Sequence, residues 1–177
     1  RFIDVATLFH IGYVELLAAN PGINPWIPGG GTKILLPSQH VLPDAPREGI
    51  VLNLADLRLY YFPPDGGAVQ SYAIGIGQAG WSTPLGETTV TWKRTDPPWT
   101  PPASIRAERP ELPEVVPPGA GNPLGAHAIY LAWPAYLIHG TNIPAGVGRR
   151  VSHGCIRMFP EDVATLFPQM TRGTRVT

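Results

Sequence analysis

Ser152-His153-Gly154-Cys155-Ile156-Arg157-Met158 holds the only cysteine in a chain of 177 residues. Upstream, an isolated His139-Gly140 ends the run Tyr136-Leu137-Ile138-His139-Gly140. A lone cysteine forms no internal disulfide, so a covalent staple is excluded. A buried apolar thiol is the bland alternative, but the neighbours here are His153, Gly154 and Arg157 rather than an apolar run. A thiol with two histidines in reach is the minimum set for covalent acyl transfer. The thiolate attacks a carbonyl, an imidazole takes and returns the proton, and backbone N–H groups hold the oxyanion.

The two imidazoles compete as base. His153 lies two residues from Cys155, and in an extended segment such residues share a face. His139 ends the preceding predicted strand, from which strand pairing reaches Cys155. The residues alone leave this choice open. Gly154 and Cys155 offer consecutive backbone N–H groups as an oxyanion hole. Arg157 is a candidate for holding a substrate carboxylate with two hydrogen bonds. The rival use of His139, His153 and Cys155 as zinc ligands lacks the paired spacing and second cysteine of a structural site, so neither metal nor cofactor is expected. His10, His40 and His127 carry no spacing signal.

Around this motif the chain reads as mostly β. Ile50–Leu54 and Leu57–Phe62 are two strands joined by a tight turn, and Pro63-Pro64-Asp65-Gly66-Gly67 is the next turn. Residues 69–77, 87–94, 128–133 and 136–140 supply four more strands, and Pro160-Glu161-Asp162 opens a helix with acids in its first turn. Residues 96–125 contain nine prolines and are expected to be a structureless loop serving as a lid. At the N-terminus, Phe2, Val5, Leu8 and Phe9 recur at helical spacing and Val14, Leu16 and Leu17 mark a second short helix. Ile34-Leu35-Leu36 is predicted as a strand, and residues 38–48 as a linker.

Composition narrows the partners. Formal net charge is zero, with 13 basic and 13 acidic residues, which argues against nucleic acid or an anionic membrane surface. The 22 prolines and 20 glycines approach a disordered composition. Five tryptophans and six tyrosines argue instead for a folded chain with many turns.

With the upstream Ile138-His139-Gly140-Thr141-Asn142, the cysteine segment resembles the signature of the L,D-transpeptidase (YkuD) catalytic domain. Residues 80–90, GWSTPLGETTV, resemble that family's TPxG segment. Residues 99–112 followed by Gly121-Asn122-Pro123-Leu124-Gly125 resemble the ErfK-like subgroup. The likeness covers roughly residues 47–177, with a catalytic domain expected over 49–177. Residues 1–37 resemble a partial LysM peptidoglycan-binding module, and the chain is expected to begin inside it. The resemblance implies a β-sandwich or barrel-like domain in the periplasm that acts on peptidoglycan stem peptides. It implies that Cys155 attacks the L-centre carbonyl of meso-diaminopimelate and releases D-alanine. A second stem, or an envelope lipoprotein, would resolve the thioester. It selects His139 as base and the Gly140 carbonyl as its orienting group, with Ser152, His153 and Gly154 lining the site. Many members of the family have Asn where this chain has Arg157. Carbapenems are implied as covalent inhibitors.

Overall fold

The computed structural model describes all residues, Arg1–Thr177. Two short helices come first, α1 (Phe2–Phe9) and α2 (Tyr13–Ala19). The strands are β1 (Gly49–Asn53), β2 (Arg58–Phe62), β3 (Gln70–Ala73), β4 (Ile76–Gly77), β5 (Thr88–Thr95), β6 (His127–Leu131), β7 (Leu137–His139), β8 (Arg150–Ser152), β9 (Ile156–Arg157) and β10 (Arg175–Val176). Helix α3 (Ala103–Glu108) lies between β5 and β6, and α4 (Pro160–Leu166) follows β9.

Eight strands form one sheet in the order β3-β2-β1-β10-β5-β6-β7-β9, while β4 pairs with β8 in a separate two-stranded ladder. The neighbours that are close in sequence are antiparallel. Two joins within the eight-stranded sheet are parallel, β1 with β10 and β7 with β9, and the β4–β8 ladder is parallel too. The last strand therefore lies in the middle of the sheet, between β1 and β5. Ile50, Leu59, Ile74, Ile129, Ile138, Ile156, Met158, Leu166 and Val176 form a fully buried core between the sheet and α4. Burial of that apolar surface is the main source of stability.

The single strand expected over residues 69–77 breaks in two at Ile74-Gly75. Gly75 leaves the β2 ladder and exchanges two 2.8 Å backbone hydrogen bonds with Arg157. A β-carbon on Gly75 would lie only 2.4 Å from the Gly146 carbonyl oxygen, so no larger residue fits. This crossing ties β9, which carries the end of the cysteine motif, to the β4–β8 ladder.

The N-terminal helices pack on their own small core of Phe2, Ala6, Ile11 and Leu16. Ile34 and Leu36 also rest on this core, but residues 34–36 pair with no strand. The predicted strand is corrected accordingly. Asn20 takes over the role of a ladder by bonding both ways with Leu35, at 2.7 and 2.8 Å. The helices also dock on the β domain. The His10 ring stacks on Phe159, with centroids 5.1 Å apart, and its Nδ1 lies 2.8 Å from Asp162 Oδ1. Glu15 pairs with Arg58 at 3.1 Å and with His40 at 3.1 Å. The Val14 N–H donates to the Gly148 carbonyl at 3.2 Å.

Gly148 is the tightest point of this junction. Its φ is +72°, and an added β-carbon would sit 2.3 Å from Gly12 Cα. We expect Gly148→Ala to free the N-terminal helices from the β domain while the sheet persists. Limited proteolysis should then cut between residues 20 and 48 much faster than in the wild type.

Candidate active site

The pairing of β7 with β9 places the predicted residues. Ile138 lies opposite Ile156, and His139 opposite Arg157. Both isoleucines are fully buried in the core. Alternation along a strand then directs Leu137, His139 and Arg157 to the other face. With Cys155 they line a cleft of about 600 Å³.

His139 is 3 % exposed, and its Nδ1 donates to the Gly140 carbonyl at 2.5 Å. That bond fixes the tautomer and leaves Nε2 as the free acceptor. Burial pulls the imidazole pKa down to about 4; the charge of Arg157 adds to the shift, and the Gly140 and Leu124 carbonyls oppose it. Cys155 is partly exposed in the cleft, and its thiol donates to the Ala135 carbonyl at 3.5 Å. Burial pushes the thiol pKa up, while a backbone hydrogen bond from Leu137 and the charge of Arg157 act against it. The resting pair at neutral pH is therefore a thiol beside a neutral imidazole.

The segment between β8 and β9 is a tight turn, not an extended strand. Gly154 has φ +105°, and a β-carbon there would lie 2.7 Å from the Tyr136 ring. His153 and Cys155 both line the cleft, but the backbone between them is bent rather than extended, so strand alternation does not place them. Instead His153 Nε2 lies 3.3 Å from Glu108 Oε2, and its ring sits 5.1 Å from that of Trp81. Ser152 staples the turn: its hydroxyl donates to the Cys155 carbonyl at 2.6 Å and accepts the Gly154 N–H at 3.1 Å. The expected pair of oxyanion donors is thus reduced by one. The Gly154 N–H is engaged within the turn, whereas that of Cys155 has no acceptor in the protein.

Thr83 completes the brace. Its hydroxyl is buried, donates to the Gly154 carbonyl at 2.7 Å and accepts the Gly77 N–H at 3.1 Å. The TPxG segment pointed to Thr83 without a role; the structure supplies one. Arg157 faces the cleft with no carboxylate within ion-pair distance, and its buried Nε has no partner. Burial lowers its pKa. No Asp or Glu lines the cleft.

Residues 96–125 form one wall and are not structureless. Trp99 and Val116 exchange two backbone hydrogen bonds, at 2.9 and 2.8 Å, and α3 occupies the tip. Asn122, fully buried, gathers the Pro97, Val116 and Pro117 carbonyls with its amide N–H groups and accepts the Leu124 N–H. The segment Gly121–Gly125 included Asn122 without a role, because its partners are backbone groups up to 25 residues away.

A mostly β domain built round a cysteine–histidine cleft is thereby defined. Residues 47–177 match the L,D-transpeptidase catalytic domain (YkuD), and the chain belongs to that family. It is 52% identical over 180 residues to the probable L,D-transpeptidase YcfS of Escherichia coli strain K12, covering 97% of this chain and 56% of that protein. To the probable L,D-transpeptidase ErfK/SrfK of the same strain it is 48% identical over 170 residues, covering 93% of this chain and 54% of that protein. The chain spans about half the length of these curated relatives. Among solved structures, the catalytic domain of the E. faecium L,D-transpeptidase superposes with a TM-score of 0.57 at 22% identity, covering 76% of this chain and 98% of that one. The LD transpeptidase LdtMt1 in complex with imipenem gives 0.53 at 18%, covering 72% and 56%. These two likenesses support the curled, mostly β fold.

The depressed His139 pKa carries a stability consequence. The folded value, about 4, lies below the ordinary 6.5, so the unfolded chain binds the extra proton between them. Stability from this group is full above pH 6.5 and lost as the pH falls toward 4, by about 3 kcal/mol in total. We expect the urea-unfolding free energy of the wild type to fall over that window by this much more than that of His139→Asn.

Proposed function

We propose that the protein is an L,D-transpeptidase that works through a cysteine thioester on peptidoglycan stem peptides. The observation that carries this reading is the single cleft lined by both Cys155 and the oriented, neutral His139. His139 Nε2 takes the thiol proton as Sγ attacks the L-centre carbonyl, and the Cys155 N–H is positioned to receive the oxyanion. The C–S bond forms, the C–N bond to the terminal D-residue breaks, and the proton held by His139 passes to the leaving amine. Arg157 supplies the cleft's one permanent positive charge and suits a carboxylate of the donor stem. Ser152 and Gly154 serve by shaping the turn, and His153 lies at its rim.

An amine of a second stem, or of an envelope lipoprotein, would resolve the thioester and restore the thiol. The family relationship favours action in the cell envelope, in the periplasm. Residues 1–37 fit a partial LysM-like binding module, with 38–48 as a linker and residues 96–125 as the lid of the catalytic domain. Imipenem is present in the LdtMt1 complex, and by the same chemistry carbapenems would acylate Cys155.

Two measurements test this. Exposure to a carbapenem should add one inhibitor mass to the wild type and none to Cys155→Ala; equal masses would remove the nucleophile assignment. Incubation with a tetrapeptide disaccharide and an amine acceptor should give a cross-linked product, lost at least about 100-fold in His139→Ala. Tripeptide without cross-linked product would identify a carboxypeptidase instead.

A further inference from the structure

The charges around the cleft are sorted by depth. Arg157 lies inside, and no acid lines the walls. Outside the lining, next to the cleft-lining His153, stands Glu108, the last residue of α3, with its side chain 55% exposed. On the same loop, Glu111 is already compensated by Arg109 at 3.0 Å. Glu108 has only the imidazole of His153, at 3.3 Å. The other neighbour of that imidazole is the half-buried indole of Trp81, 5.1 Å away. A carboxylate and an aromatic ring thus bracket one small polar ring beside the nucleophile turn. Together these two groups recognise an organic cation: the carboxylate by charge, the ring by its electron-rich face.

We propose that Glu108 and Trp81 form the acceptor subsite, which receives the primary ammonium group of the second substrate after His153 swings aside. This rests on the acyl-transfer reading above and adds to it where the amine waits. The polarity of the cleft supports the assignment. A cation is repelled from the depth by Arg157 and drawn to the mouth by Glu108, while an anionic donor is drawn the opposite way. The ammonium loses one proton to solvent, and the free amine attacks the thioester carbon. The C–N bond forms, the C–S bond breaks, and the second proton passes through His139 to the departing sulfur. Atoms and charge balance without any further reagent.

The test uses the full chain, a tetrapeptide donor and two acceptors: a primary amine that is cationic at neutral pH, and hydroxylamine, which is largely uncharged there. The readout is the partition of the thioester between aminolysis and hydrolysis against acceptor concentration. This ratio is independent of how fast the thioester forms. In Glu108→Gln the half-saturating concentration of the cationic amine should rise roughly five- to tenfold, with the hydroxylamine partition unchanged. Glu108→Asp should recover most of the loss, and Trp81→Leu should reproduce part of it. An unchanged cationic partition in Glu108→Gln would overturn the proposal. So would equal losses for both acceptors, which would mean that Glu108 only holds the loop closed. A wild type that forms no thioester with the donor would overturn the acyl-transfer reading and this one with it.

Discussion

Two parallel strands, β7 and β9, hold the site together. Their pairing sets Ile138 against Ile156 inside the core and leaves His139 and Arg157 on the opposite, cleft-lining face. Side-chain alternation makes this an all-or-none constraint. A one-residue slip would bury the imidazole's face in the core and expose the isoleucines. The register is secured from both sides. Ile138 and Ile156 anchor it within the core, and the Gly75–Arg157 hydrogen bonds fix the outer edge of β9. The tight turn before β9 then presents the thiol, braced by Ser152 and Thr83.

The electrostatics of the site follow from depth. His139 is buried enough for desolvation to outweigh the carbonyls that favour its charged form, and Arg157 adds to that penalty. The same burial raises the Cys155 pKa, with Arg157 as a partial counterweight. One cation thus acts oppositely on the two partners' charged forms: it disfavours imidazolium and favours thiolate. The balance leaves a neutral, weakly nucleophilic pair at rest.

Much of this was legible in the sequence, and the gaps have physical reasons. Strands β1, β2, β5, β6 and β7, helix α4 and both N-terminal helices announced themselves by alternation or helical spacing. His139 and Cys155 were visible as residue types, but their place in one cleft depended on a parallel pairing that no local pattern encodes. The break at Gly75 and the turn before Cys155 were hidden because both depend on backbone geometry: a close approach of Gly146 in one case, and the positive φ of Gly154 in the other. Residues 96–125 looked structureless because prolines remove the usual ladder signals. Asn122 substitutes side-chain hydrogen bonds for them. The strand expected at Ile34-Leu35-Leu36 found apolar contacts but no partner strand, since Asn20 satisfies Leu35 instead.

Acylation of Cys155 by the donor stem is the step on which the proposed chemistry rests. Turnover with a tetrapeptide donor, quenched in acid and followed by intact-mass measurement and peptide mapping, tests it most directly. A fraction of protein heavier by one tripeptide acyl unit is expected, with that mass on the peptide containing Cys155. Product formation with every cysteine-containing peptide unmodified throughout, or the acyl unit on another residue, would contradict it.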